Sequence, residues 1–159
     1  MIKIAFLALL LGLATTACAR QDHQRIGDLV VSVPWARATP PHAPVAAGFL
    51  TVQNRGTSPD RLLAVETAAA QRVEIHEVRE QDGIARMRQL VEGLPLPAGA
   101  TVLLAPGGYH LMFIQPAQPF VAGEQVAATL VFEHAGRLDV YFQVRGLAGT
   151  ADHDATTHH

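Results

Sequence analysis

Residues 125–144, QVAATLVFEHAGRLDVYFQV, contain two runs of β-branched and aromatic residues on either side of Ala135-Gly136. Short runs of this composition around a glycine turn are typical of a β-hairpin. The same pattern recurs from Leu29 onward, with strand-like runs about ten residues apart that are separated by Gly, Pro, Asn or Asp. This spacing predicts an all-β fold, a single-domain Greek-key β-sandwich.

The pattern predicts nine strands, and no segment has the long periodicity of a helix. Turns are expected at residues 95–100 and 105–108, where Pro and Gly cluster. The segment from Trp35 to Pro44 carries three prolines and is predicted to be a loop. The predicted strands are Leu29–Val33, Ala47–Asn54, Arg61–Glu66, Arg72–Val78, Ala85–Val91, Thr101–Leu104, Tyr109–Gln115, Gln125–Glu133 and Arg137–Val144.

The N-terminal residues have the pattern of a secretory signal. Lys3 supplies a positive charge, and Ile4 to Ala14 is an apolar run followed by small residues. At about 11 residues the run is shorter than the roughly 20 that a spanning helix needs, and no span is expected elsewhere. Cleavage is expected after an A-x-A site at Ala17–Ala19, or before Cys18 if this cysteine is lipidated. The threonine three residues before the cysteine argues against lipidation and the alanine directly before it argues for it, so both interpretations stay open.

Composition limits the remaining function classes. The signal at residues 1–19 is expected to leave one domain at 20–148 and a flexible polar tail at 149–159. The chain has one cysteine, Cys18, so the mature domain lacks disulfides, cysteine nucleophiles, zinc–thiolate sites and blue-copper sites. A net charge of −2 without a basic cluster argues against nucleic-acid binding. The motifs G-x-S-x-G and H-E-x-x-H are missing from the sequence, so a non-enzymatic function is expected.

Two of the histidines stand near methionines. His110 and Met112 are separated by one residue on a predicted strand. Because side chains alternate between the two faces of a strand, these two point to the same side, about 6.5 Å apart along the chain.

The second His–Met pair depends on a predicted hairpin. Asp82-Gly83 is a strong two-residue turn signal. If this turn closes tightly, Val78 lies opposite Met87, and His76 is the diagonal neighbour of Met87 on the same face. A slip of one residue would send Met87 to the opposite face.

Together these side chains form a soft ligand set. Thioether sulfur has little affinity for zinc, calcium or magnesium, whereas copper(I) accepts it readily. A methionine on a strand is more often core filling, but apart from Met1 the chain has no further methionine, and both lie at ligand spacing from a histidine. We therefore predict one copper(I) site. A neutral donor set leaves the charge of the ion uncompensated, which favours tight but displaceable binding. The predicted ligands are His76, Met87, His110 and Met112.

The sequence resembles the periplasmic copper chaperones that help to metallate the CuA centre of cytochrome c oxidase. The resemblance rests on Val73–His76, on Met87 after a further ten residues, and on Pro106–Met112, and it includes Trp35–Arg37 and Ala46–Phe49. It implies a cupredoxin-like β-sandwich that holds one copper(I) ion with the four side chains above. It also implies transfer by ligand exchange to a partner, either the oxidase subunit that carries CuA or another copper chaperone.

The sequence departs from the family pattern at two places. The residue after the first ligand histidine is often Met in the family and is Glu77 here, which removes an auxiliary thioether. Between Met87 and His110 lie 22 residues, one more than in the family, and an extra loop residue between Pro95 and Gly99 would account for it.

Other interpretations of the same residues stay open. The site would equally serve copper sequestration or buffering for tolerance, without a dedicated recipient. A metal-free β-sandwich that acts as an interaction module is the alternative in which these residues are structural. The tail histidines are candidates for a secondary copper(II) site, because His-rich tracts often bind metal. They are His153, His158 and His159.

Overall fold

The computed structural model describes residues 23–146, which form eleven strands and no helix. The all-β prediction is confirmed. Each of the nine predicted strands is present, and two short strands, β1 and β7, were not predicted. The strands are β1 (His23–Ile26), β2 (Leu29–Arg37), β3 (Val45–Asn54), β4 (Asp60–Glu66), β5 (Ala70–Gln81), β6 (Ile84–Gln89), β7 (Leu94–Leu96), β8 (Thr101–Leu104), β9 (His110–Pro116), β10 (Gln125–Phe132) and β11 (Arg137–Arg145).

The strands form one continuous hydrogen-bonded sheet, in the order β6-β5-β9-β3-β2-β11-β10-β4-β7, with β1 paired to β2 and β8 to β3. The sheet folds over on itself. Phe113 of β9 and Phe142 of β11 are separated by two strands in this order, yet their ring centroids lie 5.5 Å apart. Neighbouring strands in a flat sheet are about 4.8 Å apart, so rings on strands this far apart in the order could not touch in a flat sheet. The two rings meet edge-on, with an interplanar angle of 82°, across the interior between two parts of the sheet. The two expected layers are therefore parts of one connected sheet.

The predicted loop from Trp35 to Pro44 is wrong at its start. Trp35–Arg37 continues β2, where it pairs with β3 and runs parallel to β11. The register shifts between Ser32 and Trp35, and Val33 has a positive φ of 50°, so the strand contains a bulge. Pro34 lies in this bulge and therefore breaks no ladder hydrogen bond. The loop itself begins after Arg37.

The two strands that were not predicted are short and lie at the margins of the sheet. β1 pairs only with β2, and β7 is an edge strand. Pro95 lies opposite Arg61 in β7, and an edge strand tolerates proline because it has an unpaired side. Because β7 has only three residues and contains a proline, its sequence was assigned to the turn expected at residues 95–100.

Alternation along β9 separates the core from the candidate site. Leu111 and Phe113 are fully buried, whereas His110 and Met112 face the other side and are half-buried. Phe113 packs so closely on β3 that a Cβ at Gly48 would lie 2.5 Å from its ring. The strand that carries one His–Met pair is thus fixed by the centre of the core.

Candidate metal centre

The hairpin of β5 and β6 has the predicted turn and register. Asp82 and Gly83 have positive φ angles of 55° and 75°, as a two-residue hairpin turn of type I′ requires. Val78 lies opposite Met87, which confirms the prediction. His76 lies opposite Gln89, the next position on that face of β6, and is therefore the diagonal neighbour of Met87.

The pairing of β5 with β9 brings the second His–Met pair to the same place. His76 lies directly opposite His110, and Glu74 lies opposite Met112. The two imidazole rings have centroids 5.7 Å apart. Paired residues of neighbouring strands share a face, so all four predicted side chains lie on one face of β6, β5 and β9.

Met87 is the most accessible of the four side chains. It is 55% exposed, and all six residues of β6 are exposed. β6 is also an end of the strand order, so its outer edge has no strand partner among residues 23–146. His76 is less accessible, with a side chain that is 12% exposed. The cluster is thus half-buried on the side of β9 and open on the side of β6.

A backbone contact fixes the orientation of His110. Its Nδ1 lies 3.0 Å from the carbonyl oxygen of Gly108. Because a carbonyl only accepts, Nδ1 carries the proton and donates, and Nε2 retains a free lone pair. The imidazole is therefore held in a state that can bind a metal through Nε2.

Glu74 is a member of the cluster that the sequence analysis missed. Its Oε2 lies 2.9 Å from Nε2 of His76, and its Oε1 accepts a hydrogen bond of 2.7 Å from Nε of Arg72. These hydrogen bonds, the one from His76 foremost, hold the pKa of Glu74 below its ordinary range. The signal was its position two residues before His76, which places both side chains on one face of a strand. A negative charge therefore lies beside the otherwise neutral set of four donors.

Glu77 faces away from this cluster. It lies one residue after His76 and is buried on the same side of β5 as Ile75. Its carboxylate accepts hydrogen bonds from Nε of Arg88 at 2.8 Å and Nε of Arg79 at 2.9 Å. The departure from the family pattern at this position therefore changes no side chain on the face that carries the four predicted ligands. Through Arg88, the glutamate links β5 to β6.

We expect Glu77→Gln to lower the midpoint of thermal unfolding at pH 7. The hydrogen bonds, chiefly that from Arg88, lower the pKa of Glu77, so its charged form stabilises the folded chain. This stabilisation is present at neutral pH and is lost progressively as the pH falls from about 4.3, the ordinary glutamate value, through the lowered pKa of Glu77. The difference between the melting midpoints of wild type and variant should therefore shrink as the pH is lowered from 7 to 3.

Glu66→Gln is the matched control for that comparison. Glu66 also has a lowered pKa, caused by the hydrogen bond from Arg137, but both side chains of this pair are 56% exposed. Exposed pairs contribute little to stability, so the control should shift the midpoint less than Glu77→Gln. Equal shifts in both variants would contradict the importance of the buried carboxylate.

Residues 23–146 contain no group of three or more His, Cys, Asp and Glu side chains placed to hold a metal ion. The predicted signal at residues 1–19 with Cys18 lies outside the described residues. So do the tail and its candidate ligands, which are His153, His158 and His159.

Within the described residues, no helix is long and apolar enough to cross a membrane.

Residues 29–144 match the family model "Putative lipoprotein LpqE-like". The matched stretch runs from the first residue of β2 to the penultimate residue of β11. The chain belongs to the LpqE-like family. A curated relative of this LpqE-like chain, "Putative lipoprotein Lxx21020" from Leifsonia xyli subsp. xyli (strain CTCB07), is 29% identical over 147 residues. The match covers 89% of the chain and 87% of the relative.

Solved structures similar to this LpqE-like chain include PCuAC domains. The copper-bound PCuAC domain from PmoF2 has a TM-score of 0.67 at 26% identity, over 79% of the chain and 98% of that domain. The solution structure of CuI-DR1885 from Deinococcus radiodurans has a TM-score of 0.61 at 25% identity, and the match covers 83% of this chain and 85% of that chain. The resemblance to the periplasmic copper chaperones is thereby confirmed for the family and for the fold.

Proposed function

We propose that this chain binds one copper(I) ion through His76, Met87, His110 and Met112 and carries it in the bacterial cell envelope. One observation carries the proposal. The register of two strand pairings gathers two imidazoles and two thioethers on one face, with His76 directly opposite His110. Copper(I) is the ion that this soft donor set selects. Two of the similar solved structures are described as copper-bound or CuI-bound, which supports the same ion here.

The local charge suits a monovalent cation. The four donors are neutral, and the carboxylate of Glu74 supplies one negative charge next to His76. Arg72 holds this carboxylate from the other side but is itself 56% exposed, so its charge is largely solvated. Copper(I) bound beside Glu74 is therefore better compensated than the four ligands alone would allow.

The difference in exposure among the ligands supports transfer by ligand exchange. Met87 lies on an open edge strand and is 55% exposed, whereas His76, His110 and Met112 are half-buried on strands that have neighbours on both sides. A donor atom of a partner can therefore approach from the β6 side and replace Met87 while the two imidazoles still hold the ion. We propose this order of exchange for the release of copper.

The recipient that we propose is the oxidase subunit carrying the CuA centre or another copper chaperone. The chain acts as a carrier and not as an enzyme. The lipoprotein names of the family and of the relative support export and a lipid anchor at Cys18, with removal of residues 1–19 as the alternative. The tail remains a proposed secondary copper(II) site, with His153, His158 and His159 as its ligands.

Anaerobic titration of the metal-free protein with copper(I), against a competing chelator, tests the binding step. We expect one tight equivalent in a chain truncated after residue 146, which lacks the tail histidines. Binding that disappears with the tail would contradict the site on β5, β6 and β9. No binding in either form would favour the metal-free interaction module.

A deletion strain separates delivery from buffering. Delivery predicts low cytochrome c oxidase activity at limiting copper, with ordinary tolerance to added copper. Buffering predicts the reverse, copper sensitivity with intact oxidase. Restoration by wild type but not by a Met87→Ala, Met112→Ala double variant would link either phenotype to the proposed site.

A further inference from the structure

The contacts of Glu74 use both oxygens of its carboxylate. Oε1 accepts the hydrogen bond from Arg72, and Oε2 lies 2.9 Å from Nε2 of His76. The side chain of Glu74 is 16% exposed and that of His76 is 12% exposed, so the second contact is largely shielded from water. Glu74 also lies directly opposite Met112, inside the group of proposed ligands.

This contact determines which nitrogen of His76 carries the proton. An ionised carboxylate only accepts hydrogen bonds, so Nε2 of a neutral His76 must be the donor. Nδ1 is then the unprotonated nitrogen with a free lone pair. It is buried and has no hydrogen-bond partner among the described residues. Buried polar atoms in folded proteins nearly always have a hydrogen-bond partner, so the unpartnered Nδ1 indicates that a ligand binds at this position.

From this geometry we propose that Glu74 is a positioning residue, which holds His76 with Nε2 protonated so that Nδ1 binds copper(I). The inference rests on the proposed function and deepens it. Carboxylate partners commonly fix the tautomer and the ring orientation of metal-binding histidines. The charge of Glu74, held in place by Arg72, also balances the charge of the bound ion.

The two histidines then bind through different nitrogens. The carbonyl of Gly108 takes the Nδ1 proton of His110 and leaves Nε2 free, whereas Glu74 takes the Nε2 proton of His76 and leaves Nδ1 free. One histidine is thus oriented by its neighbouring loop and the other by its own strand. The register of β5 against β9 brings these two oppositely protonated rings together.

Nitrogen-15 NMR of the metal-free protein tests the tautomer. We expect the wild type to show His76 protonated on Nε2 and His110 protonated on Nδ1. In Glu74→Ala, His76 should lose its preference for the tautomer protonated on Nε2, whereas His110 should keep the tautomer protonated on Nδ1. A wild-type His76 that is protonated on Nδ1 would overturn the proposal.

Copper(I) titration of the same proteins tests the consequence for binding. We expect Glu74→Ala to weaken copper(I) binding by about 10- to 100-fold, the usual effect of losing such a partner. Glu74→Gln keeps the shape and can still accept from Nε2, so it should retain the tautomer and weaken binding less. Glu80→Gln, on the same face of β5 but exposed, is the control and should bind like the wild type.

The outcomes separate this inference from the proposed function. A wild type that takes up no copper(I) overturns the proposed function. A wild type that binds tightly, with Glu74→Ala equally tight, overturns the role of Glu74 alone. If Glu74→Ala does not fold, Glu74→Gln tests the charge-balancing role, which is overturned if this variant binds copper(I) as tightly as the wild type. The positioning role is then tested by the tautomer of the wild type alone, and it is overturned if His76 is protonated on Nδ1.

Discussion

Replacing Met87 or Met112 by alanine is expected to weaken copper(I) binding by at least about 100-fold, since even partners of metal ligands change affinity by about 10- to 100-fold. Each change removes one of two thioethers, and the remaining imidazoles lack the softness that favours copper(I). Competition titration with a copper(I) chelator under anaerobic conditions measures the effect. The double variant should retain no tight equivalent.

Leu103→Ala is the control for these substitutions. Leu103 is 60% exposed on β8 and is not one of the proposed ligands, so its removal tests the loss of an exposed apolar side chain alone. Met87 is almost as exposed, at 55%, and its replacement should likewise leave thermal unfolding of the metal-free protein unchanged. Binding that is indifferent to both methionines would contradict the proposed ligand set.

Phe113→Ala is expected to lower the free energy of unfolding by about 3–5 kcal/mol, the usual cost of such a change in a core. The side chain is fully buried and packs edge-on against Phe120 and Phe142, with centroid distances of 5.3 and 5.5 Å. No smaller residue fills this space without a cavity. Urea denaturation of the metal-free protein measures the difference, and Phe113→Leu should cost less.

Val91→Ala serves as the control for that experiment, because Val91 is 80% exposed. It should change the free energy of unfolding by less than about 0.5 kcal/mol, as surface substitutions generally do. A loss below about 1 kcal/mol in Phe113→Ala would contradict a close-packed interior at this point. Copper(I) binding by the folded Phe113 variant should persist, since His110 and Met112 point to the opposite face of β9.

Local signals made one half of the candidate site predictable. Asp82-Gly83 sets the register of β5 and β6 because the two strands are joined by that turn, and the pairing of Val78 with Met87 follows from it. The alternation of His110 and Met112 follows from two-residue periodicity alone. Both inferences depend on residues close together in the chain.

The other half is a long-range pairing that no turn defines. His76 and His110 are 34 positions apart, and their direct opposition depends on the register of β5 against β9. Burial of Leu111 and Phe113 fixes which face β9 turns inward, but the position along the strand is set by tertiary packing. The sequence therefore indicated the candidate ligands through their chemistry and family resemblance, and the adjacency of the two rings required the structure.

Glu74 was overlooked for a different reason. Its charge is paired with Glu77 only in sequence, because the two carboxylates lie on opposite faces of β5. Comparison with His76, two residues along the same strand, would have found the contact. The continuation of β2 past Pro34 was also missed. At a bulge the strand needs no backbone N–H to donate to its partner, so a proline is tolerated there, but the position of a bulge cannot be recognised without knowing the partner strands.

X-ray absorption at the copper edge of the copper(I)-loaded protein, truncated after residue 146, tests the central claim most directly. The account predicts two sulfur and two imidazole nitrogen neighbours for each ion, and the loss of one sulfur in Met87→Ala. A first coordination sphere made only of nitrogen and oxygen would contradict it.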